Sequence, residues 1–256
     1  MTYENMALEI QDQIAVITID HPPANTWNLV TMESFESVLD AVENDSDVRV
    51  VILTGAGEKF FSAGFDVRDA ANTGKISPKG RELWRRLDRF AKPVIAAING
   101  YALGGGLELA MACHFRLMAD VPKAEIGLTE LNLGIIPGWG GTQRLPRIVG
   151  RSKAMEMIFF SHRLKPQEAL EIGLVDRLIP PEKLQSEALA FATKLAQRPP
   201  IAVRCVLNAF TANLYEGLEA GLDVEAQGSA IVRETEDRNE GFTAFLEKRQ
   251  PCFMGR

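Results

Sequence analysis

The chain has 256 residues, of which 46% are hydrophobic and 24% charged, and a formal net charge of −6. This composition fits a globular protein with a sizeable core, arranged as one large domain or two small ones. The acidic balance argues against a broad basic surface for nucleic acid, and three widely spaced cysteines, Cys113, Cys205 and Cys252, form no disulfide framework.

The start of the chain, Met1 to Met6, lacks a basic flank and an apolar run, and no stretch is long and apolar enough to span a bilayer. A cytoplasmic, reducing location is therefore expected. Ile14 to Ile19 reads as a buried strand rich in β-branched residues, broken by His21-Pro22-Pro23. Thr31 is the expected N-cap of a helix carrying Phe35, Val38, Leu39 and Val42 at helical spacing, which Asn44 to Asp47 ends. Val48 to Thr54 is nearly all apolar and is expected to be a strand buried on both faces. Phe60 to Gly64 reads as a short strand, and the polar segment Asn72 to Gly80 as a mobile loop. Leu83, Trp84, Leu87 and Phe90 mark a helix stopped by Lys92-Pro93, and Val94 to Ile98 a further buried strand. Gly104-Gly105-Gly106 then sits at an expected helix start, followed by an expected strand at Phe115 to Met118. Beyond Pro146 helical patterns dominate up to Arg249, and Gln197 to Pro200 is the best candidate boundary. The order is α/β first and all-α last.

Two glutamates lie in glycine-rich runs. Glu108 falls about one turn into the helix that opens at the glycine triplet, where exposed N–H groups and the helix dipole favour a negative oxygen. A first-turn carboxylate that only stabilises the dipole is the plainer explanation, but three consecutive glycines are costly in entropy and an ordinary cap does not need them. Glu130 has apolar neighbours on both sides, and burial would raise its pKa into the range useful for proton transfer. A salt bridge to Arg144 is the alternative. Together the two runs suggest a site that stabilises an oxyanion and does acid/base chemistry on a neighbouring carbon. Other chemistry is poorly supported. His21, His114 and His162 are too scattered for a metal site, no Cys-x-x-Cys or Gly-x-Ser-x-Gly occurs, and Gly55-x-Gly57 lacks the third glycine of a dinucleotide loop.

The combined motifs resemble the enoyl-CoA hydratase/isomerase (crotonase) family over nearly the whole chain. The matching pieces are His21-Pro22-Pro23-Ala24-Asn25 with Asn28, Val51 to Gly55, Phe61 to Asp66, Lys92 to Gly100 leading into the glycine triplet, Pro137 to Leu145, and Phe245 to Arg249. Their joint order and spacing are highly specific. The resemblance implies a spiral of stacked ββα turns over residues 1–198, holding the acyl-CoA site, and a helical C-terminal region over 199–256 that packs trimers or dimers of trimers. It implies an acyl-CoA thioester as substrate, with coenzyme A part of that substrate and no separate cofactor, metal, nucleic acid or membrane partner. It assigns the oxyanion hole to the N–H groups of Ala63 and Gly105, each donor worth roughly 3 kcal/mol by analogy with other oxyanion holes. Glu130 would move the proton at the α-carbon, Glu108 would activate water at the β-carbon, and the Gly138 N–H would help hold that water. Ala63, Gly64, Phe65 and Asp66 would line the CoA strand, with Phe245 and Lys248 near the CoA phosphates, these last contacts coming from a neighbouring subunit.

The hydratase pattern has glutamate at both positions. A Δ3,Δ2-enoyl-CoA isomerase needs only the equivalent of Glu130, hydrolases and decarboxylases of specialised acyl-CoAs often replace one glutamate, and a non-catalytic or RNA-binding homologue would need neither. Hydration of a 2-enoyl-CoA is thus the function expected. His114 departs from the family's frequent aspartate, and Asp120 to Lys123 makes the segment between the glutamates slightly longer than usual. Trp27, Phe65 and Trp139 are bulky. If they line the acyl pocket, a short or flat cyclic acyl group is expected; otherwise they pack the core or an interface.

Overall fold

Apolar strand runs alternating with amphipathic segments dictate a layered α/β body, and the computed structural model, which describes residues 3–256, has one. In chain order the first elements are β1 (Met6–Gln11), β2 (Ile14–Ile19), β3 (Thr26–Trp27), α1 (Leu29–Asn44), β4 (Val50–Gly55), β5 (Phe60–Ser62), β6 (Gly64–Phe65) and α2 (Thr73–Asp88). They are followed by β7 (Val94–Ile98), β8 (Tyr101–Leu103), α3 (Gly105–Ala112), β9 (Phe115–Ala119), β10 (Ile126–Gly127), α4 (Gly141–Val149), α5 (Arg151–Phe159) and α6 (Pro166–Glu171). The chain ends with β11 (Arg177–Ile179), α7 (Leu184–Ala196), α8 (Pro200–Glu216), α9 (Leu218–Arg233) and α10 (Glu236–Glu247). Among the described residues no helix is long and apolar enough to cross a membrane.

The large sheet has the order β1-β2-β4-β7-β9-β11, and a smaller parallel sheet the order β10-β8-β5. Among the described residues, only the β1–β2 pair is antiparallel within the large sheet. Successive segments β4–β5–α2, β7–β8–α3 and β9–β10–α4 each place one strand in the large sheet, one in the small sheet and then a helix. The expected spiral of ββα turns is this repeat. The two-stranded pair β3–β6 ties the segment ahead of α1 to the first of these turns.

Strand β4 is buried along its full length because it has a core on each side. Val51 and Leu53 face the cluster containing Phe35, Leu83, Trp84 and Leu107, while Val50 and Ile52 face Leu184, Ala188, Ala192 and Ala196 of α7. The four-residue spacing of small α7 residues puts one smooth ridge on the sheet.

Four local expectations change. Strand β1 was hidden because only Met6 of it is buried. Its turn uses Asp12 and Gln13 at positive φ, without the glycine that advertises such hairpins. Helix α1 is capped by Asn28, whose Oδ1 accepts from the Thr31 N–H at 2.8 Å, so Thr31 lies inside the helix. The expected loop over 72–80 is the beginning of α2, despite Gly74 and Pro78. Ile76, Gly80, Leu83, Trp84 and Leu87 recur at helical spacing and are buried, and that packing overrides the local propensity. Strand β11, three residues long, lies among the expected helices and completes the large sheet beside β9.

Candidate active site

The glycine triplet does what its cost in entropy implied. Gly104 takes φ of +52° at the cap position and turns the chain from β8 into α3. The N–H groups of the first helical turn therefore start at Gly105 with no partner inside the helix. The Trp84 indole N–H donates to the Gly105 carbonyl at 3.1 Å and fixes this turn from the core side.

Glu108 sits one turn further on and is 1% exposed. Its Oε1 accepts from the Trp139 N–H at 2.8 Å and the Gly141 N–H at 2.7 Å. Glu130 opens a 3-10 turn over Glu130–Leu133 and is 9% exposed. Its Oε1 lies 3.1 Å from where a side chain on Gly104 would begin, which places it beside the mouth of α3. Its Oε2 is buried and has no hydrogen-bond partner among the described residues. Burial raises the Glu108 carboxyl to about 7, against the opposing pull of the two backbone donors. Burial also raises Glu130 to about 7, helped by the negative charge of Glu108. Two such carboxyls titrate as a pair. The two strong donors on Glu108 favour its ionised form, while Glu130, whose Oε2 has no hydrogen-bond partner among the described residues and which feels the charge of Glu108, keeps its proton more readily. The two carboxyls are close enough to couple, and such a pair can offer one acid and one base near neutral pH.

The alternative salt bridge from Glu130 to Arg144 is absent among the described residues. Arg144 pairs with Asp88 instead. Gly138 is exposed, and its N–H has no partner among the described residues. Gly105 is pressed by Trp139, whose Cζ3 lies 2.2 Å from the position an added Cβ would take. The Trp139 ring also abuts Gly80 and stands edge-on to Trp84 with centroids 5.2 Å apart. It therefore fills the slot between α2 and α3 beside the carboxylates. Trp27 is a core residue, fully buried against Phe35 and Trp84.

The strand residues need one correction. The Ala63 N–H donates to the Ala24 carbonyl at 2.9 Å, so it is not free to serve an oxyanion. Gly64, at φ of +83°, follows; an added Cβ there would lie 2.7 Å from the Gly105 nitrogen, so β6 runs directly against the start of α3. The Asp66 N–H donates to the Trp27 carbonyl at 3.1 Å, on the β3 side. Successive N–H groups of a strand point to opposite edges, so the Phe65 N–H leaves on the edge away from β3. Sequence position alone could not separate Ala63 from Phe65, because the choice depends on the turn at Gly64. Asp66 caps the following 3-10 turn and pairs with Arg68, whose hydrogen bonds hold its carboxyl down at about 2. It is a structural group.

Phe245 and Lys248 are not brought to the carboxylates within one chain. Phe245 is 80% exposed and lies with Phe242, Phe253, Pro199 and Ile201 around an apolar hollow, and Lys248 caps α10 in the left-handed conformation. His114 is a structural residue: its Nδ1 accepts from the Val94 N–H at 2.9 Å, and burial lowers its pKa to about 4.

A family model described as enoyl-CoA hydratase/isomerase matches residues 9–256. The chain is 40% identical to a short-chain-enoyl-CoA hydratase of Clostridium acetobutylicum, over 98% of this chain and 97% of that protein. It is 38% identical to a crotonyl-CoA hydratase of Syntrophomonas wolfei over the full length of both. The crystal structure of an enoyl-CoA hydratase from Bacillus anthracis superposes with a TM-score of 0.95 at 40% identity, covering 99% of this chain and all of that one. With its carboxylate pair, glycine triplet and two-sheet repeat, the chain belongs to the enoyl-CoA hydratase/isomerase family.

Proposed function

We propose that this protein adds water across the 2,3 double bond of a 2-enoyl-CoA thioester to give a 3-hydroxyacyl-CoA. The observation that carries this reading is the pair of buried carboxyls at the mouth of α3, one held by two N–H donors and the other with its Oε2 unpartnered. Ionised Glu108 takes a proton from water as the water oxygen bonds to the β-carbon. The π electrons move toward the thioester, and the α-carbon takes a proton from Glu130. Glu108 ends with one proton more and Glu130 with one fewer, and exchange with solvent restores both. Negative charge on the thioester oxygen during this step is met by the N–H groups of Gly105 and Phe65. Phe65 replaces Ala63 in this role because the Ala63 N–H is already bonded. Gly138 contributes an N–H to the attacking water.

The relatives named as short-chain-enoyl-CoA and crotonyl-CoA hydratases support this choice of reaction. An isomerase would not need Glu108, so its two-donor cradle favours hydration. Residues 199–256 form the surface for homo-oligomers. Supporting this, Val206, Phe210, Leu218 and Leu222 line an open groove of about 400 Å³, and Phe245 and Leu246 are largely exposed. Phe245 and Lys248 then meet coenzyme A across a subunit boundary. Loss of the conjugated thioester absorbance on mixing crotonyl-CoA with the protein tests the reaction. Rapid loss with formation of 3-hydroxybutyryl-CoA is expected; a folded protein that leaves crotonyl-CoA unchanged overturns it.

A further inference from the structure

We infer that Arg144, held by Asp88 and Tyr215, is a positioning residue for Glu108, so that helix α8 helps set the geometry of the water-activating carboxylate. The segment from Trp139 to Gly141 is gripped from two sides. On one side its N–H groups donate to Glu108 Oε1. On the other, Arg144 Nη1 donates to the Trp139 carbonyl at 2.7 Å. Between them Gly140 takes φ of +110°, and a Cβ there would lie 2.0 Å from Arg144 Nη1. The guanidinium therefore lies directly on the backbone of the turn that holds Glu108.

Arg144 is itself fixed. Its Nε donates to the Asp88 carboxylate at 2.9 and 3.1 Å, and its Nη2 donates to Asp88 Oδ2. Both side chains are about nine-tenths buried. Asp88 ends α2 and is held in turn from α8. The Tyr215 hydroxyl donates to Asp88 Oδ2 at 2.7 Å, and Thr211 Oγ1 donates to the Asp88 carbonyl at 3.1 Å. The Arg89 guanidinium lies 4.3 Å from the centroid of the Tyr215 ring. An unbroken set of contacts thus runs from α8 through Asp88 and Arg144 to the two donors on Glu108.

A buried ion pair is weak evidence for stability, because removing two charges from water offsets their attraction. What this pair supplies is direction. A planar guanidinium can bind a carboxylate with one edge and a carbonyl with another, and a lysine ammonium cannot hold both in a fixed plane. Small errors in the placement of a catalytic group are expensive: about 1 Å can cost on the order of 100-fold in rate.

The inference rests on the proposed role of Glu108. Wild-type protein that fails to hydrate crotonyl-CoA refutes that role itself; active wild type with indifferent Arg144 variants refutes only the positioning. The experiment measures kcat and KM for crotonyl-CoA in Arg144→Lys and Tyr215→Phe, each alone and combined with Glu108→Asp, whose shortened carboxylate is withdrawn from the two donors. Arg144→Lys is expected to lower kcat about 10- to 100-fold with KM within about twofold, and Tyr215→Phe to lower it less. In the Glu108→Asp background both factors should shrink to about twofold or less. Wild-type kcat in both single variants, or undiminished factors beside Glu108→Asp, would overturn the inference. If Arg144→Lys does not fold, the Tyr215→Phe cycle decides by the same criteria.

Discussion

Replacing Gly105 with alanine probes the close packing on which the proposed oxyanion hole depends. An added Cβ would lie 2.2 Å from Trp139 Cζ3 and 2.5 Å from Cε3. Carbon atoms rest at about 3.5 Å or more, so the two groups must separate by roughly 1.3 Å. The indole cannot simply retreat, since its other side meets Gly80 and its edge meets Trp84. Gly105 lies within α3 and is not among the glycines at positive φ, and alanine at a helix position gains about 1 kcal/mol over glycine. Overpacking costs about 1–3 kcal/mol, leaving a net loss of about 1 kcal/mol and a fall in Tm of a few degrees. The larger effect is on rate. A shift of about 1 Å in the Gly105 N–H lowers kcat for crotonyl-CoA by about 10- to 100-fold. Adding Trp139→Ala to Gly105→Ala removes the clash and should recover part of that rate. Hydration kinetics beside thermal unfolding by circular dichroism would check both numbers. Gly105→Ala with wild-type kcat and Tm would refute the argument that this contact places the donor.

Three further outcomes follow from the site. Because one carboxyl must be protonated and the other ionised, and burial raises both to about 7, hydration should peak near pH 7 and fall on either side; a rate flat from pH 5 to 9 would contradict this. Glu130 is moved from 4.5 in the unfolded chain to about 7 in the folded one, so its protonation favours folding below pH 4.5 and that contribution is lost as pH rises through 7. Glu130→Gln should therefore stabilise the protein at pH 8 by up to about 3 kcal/mol and leave it unchanged at pH 4, with a lower Tm at pH 8 the opposing result. Trp139→Ala should open the slot between Gly80 and Gly105 and raise kcat/KM for 2-decenoyl-CoA relative to crotonyl-CoA by at least about tenfold, since each accommodated methylene is worth about 1–3 kcal/mol. An unchanged ratio across a chain-length series would remove Trp139 from the acyl pocket.

Much of this architecture was legible where burial and local chemistry agree. The runs at Val48 to Thr54 and Val94 to Ile98 are apolar on both faces and became central strands. Three glycines ahead of Leu107 became a helix mouth, and Glu108 became buried one turn in. What escaped depends on contacts distant in sequence. Helix α2 starts early because Ile76 and Gly80 pack inward, and Gly80 does so against Trp139. Which strand N–H faces the site depends on Gly64 at positive φ and on the Ala63 to Ala24 bond. The Asp88–Arg144–Tyr215 contacts join three helices, and no spacing within one helix reports them. The aromatics divide in the same way: Trp27 is core, while Trp139 belongs to both the core and the site.

In the proposed mechanism two buried carboxyls divide the addition of water between them. The most direct measurement is crotonyl-CoA hydration at pH 7 by wild type, Glu108→Gln and Glu130→Gln, each checked for native folding. Glutamine keeps the size of each side chain and removes its proton chemistry. Rapid hydration by wild type and a loss of several orders of magnitude in kcat in both variants are expected, with little change in thermal unfolding at pH 4. Near-normal hydration by either folded variant would contradict the role given to that glutamate.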